Sequence, residues 1–428
     1  MALGGNELNA GLQQVAWRRG ARLLVVDWND TPGFPGNRHL CLDIKDSDAV
    51  VAELRPLIDR VAFAYTSSDV ATETAARIHA ERGLLRPPAA ALATARHKPS
   101  MNAIWERRGL LDKRFRACRT LDELRTFCDD VPGDLIVKPA AGSSSQGITV
   151  LRAEDREDHG LPMAWDRASN VDPQGEVLVE EFVHGIEYTV EMLGDNIGHV
   201  QVWAISRKSH SANAGLSRVA SKLHYNPREL SLPHQRTLAR FGRQCFRALG
   251  LQTCLGHLEV IERPTGQLVP IELGARSSGF VATHLVDAIS EQEPTLLDKY
   301  ESVLQGGEVP DELVRHRRSS MYFFYDLPPG VGRRSGTSLM QFLPPAVRSL
   351  ACDRSKLRPG LRFAQINSDY DRHGYEILVG DSDALTIDAV ERAETAHRRE
   401  FLASATDAAE SAVPTPEPVE AIESAAMP

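Results

Sequence analysis

The six cysteines, Cys41, Cys118, Cys128, Cys245, Cys254 and Cys352, include no CxxC pair, and no histidine joins them at zinc-ligand spacing. A disulfide framework and a structural zinc site are therefore not expected. Nowhere is there a run of about 18 apolar residues, the length a membrane-spanning helix needs. The opening MALGGNELNAGLQQVAWRRG lacks a basic stretch followed by an apolar core, so no secretory signal is read there. The expectation is a soluble, cytoplasmic protein with no membrane partner. A basic excess is missing as well. The formal net charge is -9, and residues 403–428 hold Asp407, Glu410, Glu417, Glu420 and Glu423 without one Lys or Arg. The remaining charge is mixed and mildly acidic, which gives no reason to expect nucleic acid as a partner. No GxxxxGK[ST] loop is present either, which excludes a Walker-type nucleotide site.

What is present is a chain long enough for two or three domains with substantial cores. From residue 12 to 95, helical and strand patterns alternate. GLQQVAWRRG has helical spacing and ends at Gly20, and ARLLVVDWND is a short apolar run closed by turn residues. DAVVAELRPLIDRV, AFAYTSSDV and ATETAARIHAERG then repeat helix, strand, helix. That order predicts a parallel sheet with helices on its faces. Only MAL precedes Gly4 and Gly5, so a clipped first strand is one expectation. A second unit begins near Arg96. In TLDELRTFCDDV, Thr120 is a plausible N-cap of a helix, and GEVLVEEFVHGIEYTVEMLGDNIGHVQVWAIS reads as antiparallel strands. SRKSHSANAGLSRVASKLHYN reads as a loop, and LPHQRTLARFGRQCFRALG as an amphipathic helix ending at Gly250. Residues 403–428 are rich in Ala, Ser, Pro and Glu and carry too little apolar surface to offset ordering entropy. Their removal is expected to leave turnover and melting temperature nearly unchanged, which a truncated chain tests directly.

Three stretches carry chemistry. In IVKPAAGSSSQGI, Lys138 closes an apolar strand and a loop of small residues follows between Gly142 and Gly147. Such a loop lets backbone N–H groups approach phosphate oxygens while the lysine supplies charge. A flexible Ser-rich hairpin tip is the other reading of the same residues. In VLVEEFVHGIEYTVE, Glu180 and Glu181 end a strand and Glu187 lies six residues further on. This could be a hinge that frames a purine and its ribose, or the polar face of an edge strand. The third stretch is GHLEVIERPTGQLVPIELGAR, which reads as a hairpin turning at RPTG. A simple register pairs His257 with Glu272 and Glu259 with Pro270, which makes Glu259 and Glu272 diagonal neighbours about 7–8 Å apart on one face. Two convergent carboxylates repel unless a cation lies between them, and Mg²⁺ suits that role because it combines one or two carboxylates with water and phosphates. Two acids on a solvated sheet face are the alternative. Arg276 returns to the same face if the strand continues.

Taken in order, ARHKPSM with its Lys98, IVKPAAGSSSQGI, VEEFVHGIEYTVE, GHLEV and IELGAR resemble the ATP-grasp superfamily from about Arg96 to Gly306. IELGARSSG is most similar to carboxylate–amine ligases that join two amino acids, the bacilysin-type L-amino acid ligases and carnosine-synthase-like enzymes. The resemblance implies a fold that mixes α/β and α+β parts. A parallel α/β domain (1–95) precedes an ATP-grasp small lobe with the phosphate loop (96–178) and a large lobe with the metal site (179–306). A C-terminal α+β subdomain (307–402) and a disordered acidic tail (403–428) follow.

It further implies that Lys98 and Lys138 contact ATP phosphates under a mobile loop of Ser143, Ser144, Ser145 and Gln146. Glu180, Glu181 and the backbone of Val183 would frame adenine, and Glu187 would bind ribose. Glu259 and Glu272 would hold Mg²⁺, with Mn²⁺ able to substitute. Arg276 would stabilise an acyl-phosphate, and Ser278 and Gly279 would line the substrate pocket. His210 and His224 are further substrate-side candidates, and surface or structural histidines are the commoner reading of both. The partners implied are a small-molecule carboxylate and an amine, and dimers are common among such enzymes. One departure is Gly274, where many ATP-grasp enzymes carry an Asn that helps hold metal; the amino acid ligase branch also tends to lack it. Two rival readings remain: a ligase for a carboxylate that is not an amino acid, and a non-catalytic nucleotide-binding regulator.

Overall fold

The computed structural model describes residues 1–5, 12–34, 36–156, 160–172, 174–278, 282–290, 294–332 and 338–401. Gly279 and residues 403–428 lie outside them. Among the described residues no helix is long and apolar enough to cross a membrane.

The chain begins with three parallel strands, β1 (Ala2–Leu3), β2 (Leu24–Asp27) and β3 (Arg38–Cys41). Short as it is, β1 is a true strand of this sheet. Ala2 and Leu3 are fully buried, and Gly4, at φ 99°, turns the chain out immediately after them. Helices Ser47–Leu54 and Thr72–Glu81 cover the sheet, packing Val50, Leu54 and Ile78 on Leu3 and Val26.

A four-stranded antiparallel sheet follows, built from β4 (Phe115–Cys118), β5 (Leu135–Pro139), β6 (Thr149–Leu151) and β7 (Val177–Glu181) in the order β4-β7-β5-β6. Helix Leu121–Asp130 is capped as the sequence predicts, with the Thr120 hydroxyl accepting from Glu123 N at 3.2 Å. The expected boundary between residues 178 and 179 falls inside β7, which belongs to this small sheet as far as Glu181.

The largest element is an antiparallel sheet of eight strands. It contains β8 (Ile186–Gly194), β9 (Val200–His210), β10 (Ala220–Tyr225), β11 (Cys254–Glu262), β12 (Leu268–Gly274) and β13 (Arg318–Phe324). A small ribbon, β14 (Gly330–Val331) with β16 (Arg362–Phe363), flanks it, and β15 (Val347–Asp353) and β17 (Tyr375–Asp381) complete it. The order is β12-β11-β8-β9-β10-β13-β17-β15. Two expectations are corrected here. Strands from 307–402 do not form a sheet apart from the large lobe, because β13 pairs with β10 and extends that lobe's sheet. The segment read as a loop, residues 206–226, is instead the β9–β10 hairpin.

Alternation along these strands divides core from cavity. Leu258, Val260 and Leu273 are fully buried against Leu238, Ala239 and Phe246 of helix Leu232–Ala248. The intervening His257, Glu259 and Glu272 face the other way. Cross-strand partners share a face, so Glu272, Glu259, Thr189, Ser206 and Tyr225 form one row across five strands. Ile261, Glu187, Lys208, Leu223 and Tyr322 form the next. From these rows Glu272, Glu259, Ile261, Glu187, Lys208 and Tyr322 form the floor of the site.

Candidate active site

A cavity of about 700 Å³ lies over that floor, roofed by the small sheet and closed at one side by the N-terminal domain. Lys98, Lys113, Lys138, Lys208 and Arg276 all line it, a concentration of positive charge suited to a polyanion.

The roof side is organised by Glu180. Its carboxylate lies 2.6 Å from Lys113 Nζ and 2.5 Å from Lys138 Nζ, and it accepts from Asn102 Nδ2 at 2.6 Å. Burial alone would raise its pKa, but the two ammonium groups outweigh burial and hold it at about 2. Two cations share one anion, so one of them is poorly compensated. Burial accordingly pushes Lys113 down to about 8, even with Glu180 beside it. Glu181 and Val183 also line the cavity, Glu181 with Arg263 at 3.5 Å.

On the floor, Glu187 meets Lys208 at 2.8 Å, His210 at 3.1 Å and Arg218 at 3.5 Å. Lys208 bridges from there to Glu259 at 2.6 Å. Burial works against its charge, yet the two carboxylates hold its pKa above the usual lysine value. The same pairing overcomes burial at Glu259 and keeps that carboxyl down to about 2. Glu272 stands directly opposite Glu259 across β11 and β12, with Lys98 Nζ at 3.4 Å. Lys98 also donates to the carbonyl of Gly142 at 2.8 Å, tying the helix it begins to the loop after β5.

In that loop Ser144 and Ser145 adopt φ values of 61° and 57°, and Gly142 and Gly147 flank them with positive φ. A positive-φ residue that follows a negative-φ one, as Ser144 follows Ser143 and Gly147 follows Gln146, turns successive backbone N–H groups to one side, as in an anion-binding nest. Ser143, Ser144, Ser145 and Gln146 line the cavity.

The expected register of the hairpin needs correction. Glu259 pairs with Glu272 directly and His257 with Gly274, because the ladder shifts by one residue between Glu259 and Val260, with Val260 opposite Pro270. Pro270 has no N–H to give, and a bulge at Ile271 absorbs the interruption. Without that bulge Glu272 would point to the other face. The two acids are thus closer partners than the simple hairpin predicts.

His224 is a second correction. It lies on β10 but does not line the cavity, and burial drives its pKa to about 3, so it is a neutral core residue. Its neighbours Leu223 and Tyr225 carry the opposite face of the strand. Ser278 is fully buried and lines the cavity. Residues that sequence reasoning missed are Lys113, His257 and Asp69. His257 Nδ1 donates to Glu191 Oε1, 2.8 Å away, and its Nε2 stands 3.6 Å from Glu259. Burial opposes its protonation, but Glu191 and Glu259 raise its pKa to about 9. Asp69 comes from the N-terminal domain and lies 2.5 Å from Arg276 Nη2.

Among the described residues no group of three or more His, Cys, Asp and Glu side chains gathers as a metal site. The opposed pair Glu259–Glu272 still fits a hard divalent cation whose remaining ligands are phosphate and water. Each of these acids already has a cation beside it, which marks the spot as one where positive charge is needed.

Residues 131–284 match the ATP-grasp domain family. The chain carries an ATP-grasp domain. It is 26% identical over 306 residues to uncharacterized protein y4rH of Sinorhizobium fredii, covering 65% of this chain and 55% of that one. It is 26% identical over 242 residues to the formate-dependent phosphoribosylglycinamide formyltransferase of Methanocaldococcus jannaschii, covering 52% of this chain and 60% of that protein. The chain therefore spans a little over half the length of these curated relatives. The crystal structure of L-amino acid ligase from Bacillus licheniformis superposes with a TM-score of 0.71 at 18% identity, over 94% of this chain and 96% of that one. The likeness of fold therefore extends beyond the matched residues, to the parallel sheet before them and the antiparallel strands after them.

Proposed function

We propose that this chain is an ADP-forming carboxylate–amine ligase that uses ATP and Mg²⁺ and makes an amide bond, with an amino acid as the carboxylate substrate. The observation that carries this reading is the opposition of Glu259 and Glu272 across one hairpin, facing Lys98, Lys138 and Arg276 within a single cavity.

Adenine would lie against Glu180, Glu181 and the Val183 backbone, and the ribose against Glu187. Lys98, Lys138 and Lys113 would hold the phosphates beneath the loop Ser143–Gln146. Mg²⁺ held by Glu259 and Glu272 would compensate phosphate charge. A substrate carboxylate oxygen attacks the γ-phosphorus, the bond to the β–γ bridging oxygen breaks, and ADP leaves. Arg276 steadies the transferred group, since its planar guanidinium can donate two hydrogen bonds at once. A neutral amine then attacks the acyl carbon, the C–O bond to phosphate breaks, and inorganic phosphate departs with the amide formed.

The fold likeness to an L-amino acid ligase supports the choice of an amino acid. The match to a formate-dependent formyltransferase favours a second reading, in which the activated carboxylate is not an amino acid's. Purified protein incubated with Mg-ATP and pooled amino acids tests both. ADP and phosphate released only when amino acids are present, with a dipeptide found by mass spectrometry, is the expected result. AMP as product would sink the acyl-phosphate route. Release supported by simple acids alone selects the second reading, and nucleotide binding without turnover indicates a regulator.

A further inference from the structure

We propose that Asp69 of the N-terminal domain is the positioning residue that aims Arg276, and that residue 274 is glycine because this pair fills the space a side chain would need. The inference rests on the role given to Arg276 above and adds what holds it. Arg276 lies two residues beyond β12, where no strand ladder fixes it. Its side chain is 10% exposed. Nη2 donates to Asp69 Oδ2 at 2.5 Å, and Nη1 to the carbonyl of Ser277 at 2.9 Å. Three of the five N–H donors are left, and one of them, on Nε, is buried and has no hydrogen-bond partner among the described residues. A guanidinium held on two sides, lining the cavity and with N–H donors to spare, is set to receive an oxyanion.

Gly274 gives independent support. Its φ is not in the left-handed region, so backbone conformation does not demand glycine. Space does. A Cβ there would come within 3.1 Å of Asp69 Oδ1 and 3.3 Å of both Cγ and Cζ of Arg276. A longer side chain would meet the pair itself. The N-terminal domain also grips the next residue, with Tyr65 Oη 2.5 Å from Ser277 Oγ. Asp69 in turn is fixed at the start of its helix, where its carbonyl accepts from Thr72 Oγ1 at 2.8 Å. The domain that precedes the ATP-grasp core thereby sets the direction of the arginine. The carboxylates of Glu272 and Glu259 also act electrostatically on that guanidinium, after Asp69.

The test is a double-mutant cycle on Asp69→Asn and Gly274→Ala, two changes that leave the fold's size and core intact. Asp69→Asn is expected to lower kcat about 30- to 100-fold, the scale of a reacting group misplaced by about an ångström, and Gly274→Ala by less, since its Cβ asks the pair to give by only a few tenths of an ångström; the KM for ATP should stay within about twofold of the parent in both. The double variant should be no slower than Asp69→Asn, because both changes disturb one pair. Inorganic phosphate binding to the MgADP-loaded protein, read by calorimetry, should weaken about tenfold in both variants while MgADP affinity holds. This readout needs no substrate, so it decides the point even if no amino acid supports turnover and the proposed function fails. Phosphate affinity unchanged in Asp69→Asn, or additive losses in the double variant, would overturn the proposal. Partial recovery of kcat in Asp69→Glu relative to Asp69→Asn would add support, since a carboxylate is restored.

Discussion

Glu272→Gln is expected to lower ADP-forming turnover about a thousandfold while leaving the melting temperature nearly unchanged. The size follows from the loss of several kcal/mol of charge compensation at the transferring phosphoryl group, about 1.4 kcal/mol per factor of ten. The stability expectation follows from the surroundings. Glu272 is 30% exposed, and its nearest cation, Lys98, keeps the Gly142 carbonyl as a second partner. Pairs exposed to that degree contribute little to folding. Glu259 would be a poorer choice, because it is more enclosed and compensates both Lys208 and His257. Steady-state phosphate release and a thermal melt on the same preparation check the prediction. Turnover within tenfold of the parent would mean that the metal is held elsewhere.

That pair also shows how much could be read from sequence. The hairpin, its turn and the convergence of the two acids were legible because strand alternation leaves an acid conspicuous among Leu, Val and Ile. The register was not. A bulge beside Pro270 moves the ladder by a residue, and nothing in VPIELGAR announces where the extra residue is absorbed. The expected pairing survived in its consequence because the total slip at Glu259 is two residues, and an even slip preserves the face. The end of β9 and the whole of β10 were read as a loop for a related reason. Lys208 and His210 line the cavity there, so the apolar half of the alternation is broken where the site needs charge. Lys113 and Asp69 carried no local signal at all. They meet Glu180 and Arg276 only because separate segments pack together, 67 and 207 positions apart in sequence respectively. The join between β10 and β13 is equally non-local, which is why residues 307–402 read as a separate subdomain.

The affinity for MgATP is expected to be flat at neutral pH and to fall as pH rises through about 8, by up to tenfold per pH unit, and Lys113 is the reason. Its ammonium lies buried beside Lys138 with one carboxylate between them, and burial has already brought its pKa down to about 8. Phosphates arriving next to it favour the charged form, so binding takes up a proton once the free protein has lost one. Affinity therefore declines from the free-protein pKa upward. Folding should respond with the opposite sign. A lysine depressed to about 8 from 10.5 binds fewer protons in the folded chain than in the unfolded chain between those values. Stability from this group therefore rises with pH across that window, by about 3 kcal/mol at most at 1.4 kcal/mol per unit. General alkaline damage would weaken both properties together, so opposite slopes are diagnostic. In Lys113→Met the excess charge disappears while Lys138 still compensates Glu180. MgATP affinity at pH 7 should then drop about ten- to a hundredfold, and both pH slopes should vanish. Titrations of MgATP binding and chemical denaturation from pH 7 to 9.5 supply the comparison. A wild-type affinity that stays level to pH 9.5 would remove Lys113 from the phosphate site.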